Sequence, residues 1–114
     1  MIVPKKIKDY IKDMNKVDAY DSLINIMGYT KVETKHILKI ITFNDLKFQP
    51  HSVVPNGIRT YVEFPNKKWI SIVGGGTGLY GDGVSTFEVL SSDMEEPLSY
   101  LSKEEVTIEL LKLQ

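Results

Sequence analysis

The sequence predicts an α+β domain: two or three N-terminal helices, then an antiparallel sheet of three or four strands, then a C-terminal helix. Three observations carry this reading. Apolar residues recur at spacings of three and four through the first part of the chain. They alternate singly through 58–64, 69–73 and 86–90, and a capped amphipathic run closes the sequence. The period changes near residue 41, which divides the chain into a helical segment over 1–40 and an α+β domain over 41–114.

Pro4 suits a helix start, and Ile7, Tyr10, Ile11, Met14 and Val17 form one apolar stripe beside Lys5, Lys8, Asp9, Lys12 and Asp13. Asn15 or Asp18 is placed to cap a second helix that carries Val17 or Ala19, Tyr20, Leu23, Ile24 and Met27 and stops at Gly28. Thr30 and Glu33 make a capping box, so a third helix is expected over about 31–40. Its Val32, Ile37 and Ile40 face inward, while Lys31, Lys35 and Lys39 form a basic stripe.

Residues 42–48 read as a strand or two short pieces with a bulge or turn at Asn44-Asp45, and 49–57, with Pro50, Pro55 and Asn56-Gly57, as a connection. Strand 58–64 points Ile58, Thr60, Val62 and Phe64 to one face and Arg59, Tyr61 and Glu63 to the other. Pro65 to Lys68 is a turn, and strands 69–73 and 86–90 complete a meander. Residues 91–97 are an acidic loop. Ser102 and Glu105 then form a second capping box for a helix whose inner stripe is Val106, Leu110 and Leu113, broadened by Ile108 and Leu111 to cover the sheet.

At 114 residues the chain is long enough to fold around its own core. It has no cysteine, which excludes disulfides, thiolate zinc sites and cysteine nucleophiles. No apolar run approaches the ~20 residues that span a bilayer, and the first residues are not followed by a signal-type core, so the expected location is cytoplasmic. The net charge of −1 hides an asymmetry: residues 1–49 carry nine lysines against six acids, and 82–114 two lysines against eight acids.

Six of the eight glycines lie between 74 and 83, between two strands. Gly76 to Gly81 is a formal G-x-G-x-x-G, and successive glycine amides can cradle a phosphate. A dinucleotide fingerprint needs a helix after the loop, and Val84 onward reads as strand, which argues against the dinucleotide version and leaves a glycine-tipped hairpin. Arg59, Tyr61, Lys67, Lys68 and Trp69, with Gly75, Gly76, Gly78 and Tyr80, are the candidate binding residues. Basic and aromatic groups together stack a base and meet a phosphate, although a lone tryptophan also serves as core filling.

A helix–turn–helix outline around Gly28 makes Lys31, Lys35 and Lys39 candidate DNA-phosphate contacts; Thr34 stands where such motifs want a buried aliphatic, and few residues besides His36 offer base readout. His36 and His51 have no ligand-spaced partners, so no metal site is expected, and no catalytic set or cofactor motif is evident.

The segments Lys68-Trp69-Ile70-Ser71-Ile72-Val73-Gly74-Gly75-Gly76, Tyr80-Gly81-Asp82-Gly83, Thr86-Phe87-Glu88-Val89 and Tyr100 to Val106 resemble short uncharacterised proteins encoded by bacteriophages and prophages. The resemblance covers about 41–114. It implies a small α+β domain in the bacterial host cytoplasm with a host-directed or defence-countering role, and it assigns no catalytic residues. The functional expectation is therefore a binding protein that inhibits or modulates a host protein, possible homo-oligomer formation included. The alternatives are a nucleotide-binding module using the glycine hairpin and a DNA-binding protein using helix 31–40.

Overall fold

The computed structural model describes residues 2–114, and Met1 lies outside the described residues. The architecture is α+β, with three helices, a five-stranded antiparallel meander and a fourth helix. Helix α1 spans Lys5–Ile11, α2 Lys16–Asp21, α3 Lys31–Leu38 and α4 Lys103–Lys112. The strands are β1 Gln49–Pro50, β2 Ile58–Glu63, β3 Trp69–Gly74, β4 Thr86–Ser91 and β5 Leu98–Ser102, hydrogen-bonded in that order.

Sheet count is the main correction. Five strands form rather than three or four, and residues 42–48 supply none of them. Phe43–Asp45 instead closes a 3-10 turn, because the Asp45 carboxylate accepts from the Thr42 N–H at 2.8 Å. The two additional strands are both edges. β1 is only two residues and includes Pro50, whose missing N–H suits an edge. β5 lies beyond the acidic loop and pairs with β4 through a bulge, where Tyr100 adopts φ +59°. That bulge turns the Tyr100 N–H away from β4 to donate to the Tyr80 carbonyl at 3.0 Å.

In the helical segment, Asn15 caps α2 by accepting from the Asp18 N–H at 2.8 Å. The helix then widens into a single π turn over Ser22–Ile26, with the Met27 N–H donating to the Ser22 carbonyl. Gly28, at φ +79°, ends it, and the Tyr29 N–H closes back onto the Leu23 carbonyl. Both expected capping boxes form, at Thr30–Glu33 and Ser102–Glu105.

Two side chains depart from their expected faces. Tyr10 is 47% exposed, outside the stripe of Ile7, Ile11, Met14 and Val17 that packs inward. Val32 is 78% exposed, and the inner face of α3 is built from Thr34, Ile37 and Leu38. Helix α3 stops at Leu38 because Lys39 takes a left-handed φ of +53°, which sends Ile40 into the core from outside the helix.

Two apolar clusters result. One lies beneath the sheet and joins Phe64, Ile70, Ile72, Phe87 and Val89 to Val106, Leu110 and Leu113 of α4. Phe43, Phe48 and Phe87 close its end with ring centroids 4.9–5.8 Å apart. The other joins Ala19, Tyr20, Leu23, Leu38 and Ile40 to Leu111, with Ile108 packed against it. The apolar surface of α4 is thus two faces rather than one broad stripe: Ile108 and Leu111 turn from the sheet toward the N-terminal helices. The two cores lie side by side, so the molecule measures 50 × 25 × 19 Å and its radius of gyration is 15.5 Å, above the ~13 Å of a rounder domain of this length.

Candidate functional site

The outer face of the sheet is defined by strand alternation. In register, Arg59 stands opposite Val73, Tyr61 opposite Ser71, and Glu63 opposite Trp69; Ser71 and Val73 then face Leu90 and Glu88. The partners on the other face, Ile70, Ile72, Phe87 and Val89, are fully buried beneath α4. Nothing in the described chain covers the outer face in the same way: Tyr61 is 61% exposed, and Trp69, Ser71, Val73, Glu88 and Leu90 are half-buried. Trp69 is therefore not core filling. Its ring stacks on Tyr61 at 6.0 Å between centroids and 26° between planes.

Arg59 lies two residues before Tyr61, on the same face, beside Lys47 and Gln49. Lys67 and Lys68 sit at the turn at Trp69's end of β3. There Lys67 takes φ +74°, the Phe64 N–H donates to the Lys68 carbonyl at 2.8 Å, and Lys68 pairs with Asp93 at 3.0 Å. Arg59, Tyr61, Lys67, Lys68 and Trp69 thus share one surface and its rim.

The glycine loop stands elsewhere. Gly75 is six residues along β3 from Trp69, about 20 Å at the strand rise, so the loop and the Trp69–Lys68 end do not form one pocket. The loop is folded on itself. The Gly75 N–H donates to the Gly81 carbonyl, and the Tyr80 N–H to the Glu88 carboxylate at 3.1 Å. The Asp82 carboxylate accepts from the N–H groups of Val84, Ser85 and Thr86 at 2.7–2.9 Å and from the Ser85 hydroxyl. Those hydrogen bonds, led by that from Thr86, hold the Asp82 carboxyl far below the usual carboxylate range.

Loop donors at 84–86 therefore already hold an anion, which is the loop's own. Gly74, Gly76, Gly81 and Gly83 are there for close approach. A Cβ on Gly81 would stand 2.7 Å from the Phe87 backbone, and one on Gly76, itself at φ +71°, would meet Val54 at 2.6 Å and the Pro55 carbonyl at 2.7 Å. Gly78, at φ +92°, faces open space. Tyr80 is exposed and meets Tyr100 edge-on at 6.1 Å, which places it at the β5 side of the molecule.

The α3 lysines are only partly free. Lys31 pairs with Glu104 of α4 at 3.2 Å, and this hydrogen bond raises its pKa. Lys35 pairs with Asp45. Burial pushes the Asp45 carboxyl up, but the Lys35 and Thr42 hydrogen bonds outweigh it and leave the group below its ordinary value. Lys39 occupies the left-handed position that ends the helix.

Lys31 and Lys35 line a cleft of about 310 Å³ between α3 and the start of α4, together with Tyr20, Asn44, Lys103 and Glu104. Tyr20, Asn44 and Lys103 are not among the binding candidates read from the sequence. The available signal was that the N-cap residue of each capping box is followed directly by a lysine, Lys31 after Thr30 and Lys103 after Ser102. A second, open groove of about 630 Å³ follows the outer side of α3 past Val32, His36 and Lys39.

His51 accepts through Nδ1 from the N–H groups of Val53 and Val54, a turn-stabilising role. Among the described residues no three histidine, aspartate or glutamate side chains cluster as metal ligands, and no helix is long and apolar enough to cross a membrane. Comparison with protein-family models, curated proteins and solved structures finds no match to this chain.

Proposed function

We propose that the protein acts by binding a partner protein, with the outer face of β2, β3 and β4 as the contact surface. The Tyr61–Trp69 stack carries this reading. It places two large aromatic rings, flanked by Arg59, Val73 and Leu90, on a sheet face that nothing else covers. Tryptophan, tyrosine and arginine are the residue types that dominate binding energy in interfaces, because each contributes large contact area at modest entropic cost. Lys47, Lys67 and Lys68 at the rim favour an acidic border on the partner. In biological terms the proposal is modulation of a host protein in the bacterial cytoplasm, the role implied by the resemblance to phage-encoded proteins.

The test is affinity capture from bacterial lysate with matched variants. A partner retained by wild type and by the α1 variant Lys8→Glu, but lost by Trp69→Ala and by Arg59→Glu, is the expected result. Capture unaffected by either face variant overturns the proposal. A nucleotide panel at high excess separates the second reading: a ligand that binds the folded state raises its melting temperature. A rise abolished by Trp69→Ala would give the face to a nucleobase instead.

A further inference from the structure

Two segments of the chain share a local design. Thr30-Lys31-Val32-Glu33 and Ser102-Lys103-Glu104-Glu105 each combine a capping box with a lysine at the first helical position. A helix start carries partial positive charge, so a lysine there is electrostatically misplaced unless it meets an anion. The fold brings both starts to the walls of one cleft, with Lys35 one turn further along α3.

Tyr20 supplies an independent observation. It is 5% exposed, its ring belongs to the helical core, and it lines the same cleft. Its hydroxyl bonds to no side chain among the described residues and is reached by solvent at the cleft wall. Burial raises its pKa, Glu104 raises it further and Lys31 opposes them, so it is a protonated donor at neutral pH that feels the charges at the cleft wall. Lys103 has no acidic partner among the described residues; its ammonium group stands 5.6 Å from the centre of the Phe43 ring. Glu104 and Asp45 offset two of the three lysines and leave the cleft with an excess cation. The α4 capping box occupies the Ser102 and Glu105 amides and leaves those of Lys103 and Glu104 without a side-chain acceptor.

We propose that this cleft binds a small phosphorylated molecule, its phosphate held by Lys31, Lys35, Lys103 and the Tyr20 hydroxyl. Three lysines and a tyrosine on the walls of one cleft, with two helix-start amides that no side chain caps, suit a tetrahedral dianion better than a planar carboxylate. The volume of about 310 Å³ exceeds what a phosphate fills, and Val32 and Phe43 supply an apolar wall for the organic part. The Lys31–Glu104 and Lys35–Asp45 pairs are partly solvent-exposed, so phosphate can replace the carboxylates without uncovering a buried charge.

The experiment is a titration of the 15N-labelled full chain followed by NMR, with inorganic phosphate and a sugar phosphate as probes and sodium chloride holding ionic strength constant. Saturable shifts centred on the amides of 31–33 and 103–105 are expected, with the sugar phosphate binding at least as tightly as phosphate. Lys103→Gln and Tyr20→Phe should each weaken binding about tenfold, the loss of one charge-assisted hydrogen bond. Both variants must keep the wild-type spectrum elsewhere, and Lys103→Arg should restore most of the affinity. Non-saturating shifts that chloride reproduces overturn the proposal. So do shifts centred on 67–68 or 76–79, and so do variants that bind as wild type does. Single-stranded oligonucleotide binding lost in the same variants, without binding of either small phosphate, also overturns it and assigns the cleft to nucleic acid.

Discussion

The loop over 75–85 and the cleft between α3 and α4 both gather hydrogen-bond donors, and they treat them oppositely. In the loop, Asp82 satisfies three successive amides and Gly81 lies against the Phe87 backbone, so its donors and its space are largely used internally. In the cleft, among the described residues, the Tyr20 hydroxyl bonds to no side chain and Lys103 meets no carboxylate, while Lys31 and Lys35 are held by partly exposed carboxylates. Glycine density marks where backbones touch. Unspent donors mark where a ligand fits.

The contrast can be broken most forcefully at the loop. Gly81→Ala should cost about 2–4 kcal/mol in denaturant unfolding, since its Cβ meets backbone that has no rotamer to escape into. Gly78→Ala, in open space, should cost about 1 kcal/mol from its left-handed φ alone. Equal costs would remove close packing as the reason for the glycines.

Next in size is the effect of Asp82 on loop order. Asp82→Ala should abolish hydrogen-exchange protection at Val84, Ser85 and Thr86 and leave β3 protected. The pH dependence follows from the depressed pKa. The folded value lies below the unfolded one, so the contribution is complete above the ordinary aspartate pKa of about 3.9 and declines only as pH falls through the folded value. Loop protection that disappears between pH 7 and 5 would contradict this.

Smaller effects are expected on α3. Thr34 is fully buried and its hydroxyl has no hydrogen-bond partner. Thr34→Val keeps the shape and removes the unmet polar group, so it should stabilise the fold by up to about 1 kcal/mol. A loss of stability by calorimetry would reveal a partner for that hydroxyl. Smallest of all, a double-mutant cycle on Lys31 and Glu104 should give a coupling below about 0.5 kcal/mol, as exposed ion pairs do. A coupling well above that would mean the carboxylate holds Lys31 too firmly for a ligand to claim it.

Much of the fold was legible because its signals are local. The two capping boxes, the turn at Gly28 and the alternation through β2 and β3 depend on residues within a few positions of one another. The misses arise where tertiary context decides. β1 and β5 exist only because a neighbouring strand offers them a ladder, and Phe43–Asp45 curls because Asp45 accepts from the Thr42 amide, a cap without a helix behind it. Val32 looked like a core residue by composition, yet the position opposite the helical core is held by Thr34. On the site side, strand alternation put Arg59 and Tyr61 on the outer face, whereas for Trp69, noticed as the lone tryptophan beside Lys67 and Lys68, core filling was the competing reading. The cleft was not, because Tyr20, Lys31, Asn44 and Lys103 come from four elements that only tertiary packing unites.

Helix α4 has one further consequence. Because Val106 and Leu110 anchor it beneath the sheet while Leu111 anchors it against the N-terminal helices, neither half can melt without exposing one of its faces. Gln114 reinforces the seam by exchanging hydrogen bonds of 2.8 and 2.9 Å with the Ile41 backbone. The chain should unfold as one cooperative unit despite its two cores, and the slowest-exchanging amides of the whole protein should lie in this last helix.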